Sequence, residues 1–80
     1  MKTARLLFFG ATADAIGSRE QQMPVEVPTS VSNLITRLIA EHPRLASHKL
    51  LLAINQQYAA PDAEIHPGDE VAIFTAVSGG

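Results

Sequence analysis

Eighty residues, 46% of them hydrophobic and 18% charged, with a net charge of −2, describe one domain near the small end of what folds unaided. The six lysines and arginines stand singly, so the basic stripe of a nucleic-acid binder is missing. With no cysteine in the chain, disulfides, thiolate metal sites, a cysteine nucleophile and a persulfide held on the chain itself are all excluded.

The opening MKTARLLFFGATADA has the outline of a signal peptide, with Lys2 and Arg5 ahead of an apolar run. The run is too short, Asp14 follows it closely, and cleavage would remove the best strand of the domain. No run approaches transmembrane length. The expectation is a cytoplasmic protein with no membrane partner.

Residues 3–9 (TARLLFF) form a first strand that ends at Gly10 and is central because polar residues are few. Leu6 and Phe8 share one face, Leu7 and Phe9 the other. Residues 11–16 are Ala-rich and stop at Gly17, which predicts a short helical turn with a glycine cap. Residues 20–27 alternate through Met23, Val25 and Val27 as a half-buried strand does. Pro24 lacks an N–H for a sheet ladder, which puts this strand at an edge.

Ser30 has the character of a helix N-cap. From there Val31, Leu34, Ile35, Leu38 and Ile39 fall at i, i+3, i+4, i+7 and i+8, one continuous helical stripe. Pro43 stops that helix by pushing the preceding residue out of the α region. Residues 44–49 read as a polar connector, and residues 50–55 (LLLAIN) as a short apolar strand. Asn55-Gln56 turns the chain into a brief strand at residues 57–59. Pro61-Asp62 and His66-Pro67-Gly68-Asp69 are turn-rich, and residues 70–76 (EVAIFTA) form the last strand.

One long helix over several strands is an α+β roll, and one helix covers only one sheet face. Val71 and Ile73 point toward it, which turns Ala72, Phe74 and Ala76 outward by the two-residue period. Phe74 is then a large aromatic on an uncovered face, beside the end of the chain, and marks a docking surface. Loops folded over Phe74 are the other reading.

The chain closes with Ala76-Val77-Ser78-Gly79-Gly80. Two glycines without Cβ atoms enter a channel too narrow for a side chain, and five extended residues reach roughly 16 Å. The candidate reactive group is the α-carboxylate of Gly80; a frayed terminus is the ordinary alternative. His42, His48 and His66 have no metal-ligand spacing. Ser47-His48 lacks the elbow and oxyanion motif of a catalytic triad. Asp62, Glu64, Asp69 and Glu70 read as a solvated rim that can also pair with a basic patch on a partner and raise its on-rate.

The LLFFG opening with its short helix ending at Gly17, the P-T-S-V-x-x-L helix entry, LLLAINQ, HPGDEVAIF and the terminal V-S-G-G together carry a resemblance. The chain is similar, over essentially its whole length, to the small, sulfur-carrying subunits of molybdopterin synthase, which are ubiquitin-like. No single motif decides this; their order and spacing do. In one departure, Thr75-Ala76 stand where members of that family often carry a Pro-Pro pair.

The resemblance implies a single β-grasp domain over residues 1–80: a mixed sheet of four to five strands, one main helix on one face, and a flexible Gly-Gly tail. It implies that a ubiquitin-activating-like adenylyltransferase uses ATP to activate the Gly80 carboxylate, which sulfur then converts to a thiocarboxylate (1-thioglycine), with no cofactor bound. The loaded tail, Val77, Ser78, Gly79 and Gly80, would enter the large catalytic subunit of a heterotetrameric synthase and give sulfur to cyclic pyranopterin monophosphate. The acid–base groups would belong to that large subunit. Phe74 and Tyr58 match positions that contact partners. A thiamine-pathway sulfur carrier shares the fold and tail, and a ubiquitin-like modifier or a simple binding domain is the reading outside sulfur transfer.

Overall fold

In the computed structural model, which describes residues 2–25 and 28–75, the chain runs β1 (Thr3–Phe8), α1 (Ala11–Ile16), β2 (Glu20–Pro24), β3 (Thr29–Ser30) and α2 (Val31–Glu41). A 3₁₀ turn (Pro43–Ser47), β4 (Leu50–Ile54), β5 (Gln57–Tyr58), β6 (Glu64–Ile65) and β7 (Glu70–Thr75) complete it. Five strands make a mixed sheet in the order β2-β1-β7-β4-β5, and β3 pairs with β6 in a separate two-stranded ladder. Strand β1 is internal, as its apolar composition requires, and β2 with Pro24 takes the edge. The first and last strands run parallel side by side, Leu6 opposite Val71 and Phe8 opposite Ile73.

The core lies between the sheet and α2. Ala4, Leu6 and Phe8 of β1, Leu52 of β4 and Val71 and Ile73 of β7 turn inward and meet Val31, Leu34 and Leu38 of α2, all buried. Ile35 and Ile39 flank them, partly buried. Each such side chain withdrawn from water contributes about 1.5–3 kcal/mol before entropy is subtracted.

Helix α2 begins where Ser30 accepts the Asn33 N–H on its hydroxyl at 3.1 Å. It ends at His42, whose N–H reaches the Leu38 carbonyl at 2.8 Å, one residue before Pro43. Helix α1 ends on Gly17, whose φ of 82° is left-handed and whose N–H closes on the Ala13 carbonyl at 2.8 Å.

Several details differ from the sequence reading; beyond the short strand at Thr29–Ser30 and the earlier ends of β2 and β5, three bear on the core and the site. The segment after Pro43 is a 3₁₀ turn that drives Leu45 fully into the core, so it is a core element and not a polar connector. Residues 64–65 form a strand, buried at Ile65, where only turns were expected. The first strand stops at Phe8, one residue earlier than read, although the Phe9 N–H still bonds the Ile73 carbonyl at 3.1 Å. Among the described residues, no helix is long and apolar enough to cross a membrane.

Candidate functional site

The sheet face away from α2 is half-buried to exposed among the described residues. Successive rungs place Leu7 beside Ala72, Ala72 beside Ala53, Phe74 beside Leu51, and Ala53 beside Tyr58. By the two-residue alternation these side chains all stand on the outer face, forming an apolar strip across β1, β7, β4 and β5. Ala53 carries only a methyl group, so the Tyr58 ring reaches across β4 to Phe74. The two rings meet edge to face, centroids 5.9 Å apart at 60°.

Phe74 is half-buried, while Tyr58 is 81% exposed. Phe9, 52% exposed, stands at the end of β1 beside β7. The sequence reading did not single it out as a site residue. Its signal was its place directly opposite the inward Phe8 in the alternation. The structure brings Phe74 and Tyr58 into contact, a pairing the sequence did not suggest; Val77, Ser78, Gly79 and Gly80 lie outside the described residues. Strand β7 ends at Thr75, one residue after Phe74, so the apolar strip borders the root of the tail.

The polar margin is built mostly from groups that hold the fold. Arg5, on the outer face of β1, donates to Glu20 at 2.9 Å and lies 3.5 Å from Glu70. The hydrogen bond and charge of Glu20 push the guanidinium pKa further up. Asp69 accepts the His66 N–H at 2.8 Å and the Asn55 Nδ2–H at 3.0 Å. The His66 N–H bond first, then that from Asn55 and the nearby imidazole, outweigh partial burial and hold the Asp69 carboxyl below its usual range.

Asn55 in turn accepts the Glu70 N–H on Oδ1 at 3.0 Å and donates its own N–H to the Glu70 carbonyl at 2.8 Å. This knot ties the β4–β5 turn to the start of β7. The turn itself has φ of 49° at Asn55 and 72° at Gln56, the paired positive values of a type I′ hairpin. The expected solvated acidic rim therefore divides: Asp69 is spent on the turn and Glu70 faces Arg5, while Asp62 and Glu64 remain exposed.

Residues 6–80 match the ThiS family. The chain belongs to it. A relative from Mycobacterium tuberculosis, a molybdopterin synthase sulfur carrier subunit, is 34% identical over 83 residues, covering 100% of both chains. Among solved structures, a putative molybdopterin converting factor subunit 1 from Pyrococcus furiosus superposes with a TM-score of 0.84 at 20% identity, covering 96% of this chain and 100% of that one. Small archaeal modifier protein 1 of Haloferax volcanii gives 0.80 at 23% identity, covering 96% and 100%. These two likenesses show the fold: this ThiS-family chain is a ubiquitin-like β-grasp, as its sheet order and single main helix require.

Proposed function

We propose that the chain is the sulfur carrier subunit of a molybdopterin synthase and that the Gly80 α-carboxylate is the group that carries sulfur. Family membership that runs through residue 80 and the name borne by its full-length relatives support the reading. The single structural observation that carries it is the position of the apolar strip on the strand leading into the Gly-Gly tail. A partner that covers Phe74 and Tyr58 receives residues 76–80 in the same encounter.

A carboxylate is a poor electrophile, and the chain has no thiol to load instead. A ubiquitin-activating-like adenylyltransferase therefore activates it: a Gly80 oxygen attacks the α-phosphorus of ATP, pyrophosphate leaves, and a sulfur nucleophile then displaces AMP from the acyl carbon. The resulting 1-thioglycine enters the large catalytic subunit on Val77, Ser78 and Gly79, with the glycines clearing the channel. There it gives sulfur to cyclic pyranopterin monophosphate. The acid–base groups of that step belong to the large subunit, two carriers flank a large-subunit dimer in a heterotetramer, and the chain binds no cofactor of its own. Its setting is the cytoplasm, where ATP for the activation is at hand.

The test is acceptor specificity. Thiocarboxylated chain mixed with large subunit and cyclic pyranopterin monophosphate should yield the dithiolene product and return the chain with a plain carboxylate. Sulfur delivered instead to a thiamine-pathway thiazole synthase, or Gly80 found joined to a lysine of another protein, would replace this reading.

A further inference from the structure

We propose that Thr12 is a positioning residue for the end of β7: its hydroxyl ties off the last rung between β1 and β7 and so steadies Phe74 and Thr75, the residues from which the chain runs on to Gly80. The consequence for sulfur transfer rests on the carrier reading above; the tie itself does not.

Thr12 is completely buried and is the one buried polar side chain among the described residues. A hydroxyl withdrawn from water is unfavourable unless it is bonded, and valine has the same shape without that cost. The Thr12 hydroxyl is bonded three ways. It accepts the Phe9 N–H at 3.0 Å, and its single proton is shared between the Phe9 carbonyl at 2.7 Å and the Ile73 carbonyl at 2.9 Å. The Ile73 carbonyl also takes the Phe9 N–H at 3.1 Å, the final backbone link from β1 to β7.

Beyond that link the two strands part. The chain turns away from β1 at Gly10, whose φ of 56° is left-handed, and α1 brings Thr12 back over the Ile73 carbonyl. Phe74 and Thr75 continue against β4 alone, through Leu51 and Leu50. Among the described residues, the Thr12–Ile73 bond is the last side-chain hydrogen bond made to β7 from the β1 side. Loosening it keeps Phe74 in register with Leu51 on β4, and so keeps the docking strip, but gives the end of β7 more freedom; a misplacement of about 1 Å at a reacting group can lower a rate roughly 100-fold.

The experiment compares wild type, Thr12→Val and Thr12→Ser, each loaded with sulfur and mixed with the large subunit and its pterin acceptor. Loss of sulfur from the chain is followed by intact mass at saturating large subunit, and docking affinity is measured separately by calorimetry. Backbone ¹⁵N relaxation of the free chains gives order parameters for Phe74 and Thr75. The tie predicts, for Thr12→Val, a transfer rate at least roughly tenfold lower, an unchanged docking affinity, and lower order parameters at Phe74 and Thr75 than at Leu51 and Ala53. Thr12→Ser, which keeps the hydroxyl, should restore all three.

A purely structural hydroxyl would lower the unfolding midpoint of Thr12→Val and leave transfer by the folded protein unchanged. That outcome overturns the proposal, as does a slowed rate explained by weaker docking or unaccompanied by a change at Phe74 and Thr75. Should wild type take up no sulfur, the carrier reading fails and the relaxation data alone decide the tie. Should Thr12→Val not fold, Thr12→Ala removes the hydroxyl without adding bulk and carries the same readouts.

Discussion

Replacing Phe74 with alanine separates docking from folding, because the ring serves the outer face and not the core. A fully buried Phe→Ala change costs about 3–5 kcal/mol, but Phe74 is half-buried and its aromatic neighbour Tyr58 is 81% exposed. An edge-to-face pair adds about 0.5–1.5 kcal/mol at most, and this one, 5.9 Å between centroids and open to water, belongs at the lower end. The fold should therefore lose about 1–2 kcal/mol, half or less of the full core penalty.

Docking should lose more in relative terms. A central aromatic anchor of an interface is worth about 2 kcal/mol or more, and at about 1.4 kcal/mol per tenfold this weakens Kd roughly 30-fold. Urea unfolding of the free chain gives the first quantity and calorimetry with the large subunit the second. Glu41→Ala, on the exposed side of α2, should leave docking unchanged. Folded Phe74→Ala that docks as well as wild type would refute the assignment of this face. A stability loss above about 3 kcal/mol would show that Phe74 is a core residue after all.

Two further predictions concern the knot beneath the strip. Gln56 holds a φ of 72°, which costs a residue with a Cβ roughly 1 kcal/mol, so Gln56→Gly should raise stability by about 0.5–1 kcal/mol by urea unfolding; a fall would contradict the type I′ assignment. The folded pKa of Asp69 is lowered by the bonds from His66 and Asn55. Its contribution is thus fully present above the unfolded value of about 3.9 and is lost as pH falls through the folded one. Asp69→Asn should be less stable than wild type near pH 7, with the gap closing in acid; equal midpoints near pH 7 would remove the argument.

What the sequence made legible is what repeats along it. The stripe of α2, its Ser30 cap and its stop before Pro43 rest on a 3.6-residue period and two local rules, and all three stand. Strand alternation placed Val71 and Ile73 inward and Phe74 outward, and Pro24 marked β2 as an edge. The Asn55-Gln56 turn was legible because asparagine, which tolerates a positive φ, closes the apolar run at residues 50–54.

The elements that were not legible lack repetition. Leu45 is a single leucine among polar residues, so no period betrays the 3₁₀ turn that buries it. The β3–β6 ladder has two residues on each strand, too few to alternate, and Ser30 serves it while also capping α2. Thr12 looks like one more small residue in an Ala-rich turn, and only its three-dimensional neighbours give its hydroxyl a purpose. Phe74 and Tyr58 were named from a resemblance and from alternation; their mutual contact, and the division of the acidic residues into structural and exposed pairs, are set by strand register. That register cannot be read before the pairing of β4, β5 and β7 is known.

The most direct test of the carrier account is intact mass spectrometry of the chain after incubation with its activating enzyme, ATP and a sulfur source, beside a variant lacking Gly80. The account predicts a gain equal to one sulfur in place of one oxygen in the full chain and none in the deletion. No gain in the full chain, with its terminus shown to be free and the enzyme active on a control carrier, would contradict it.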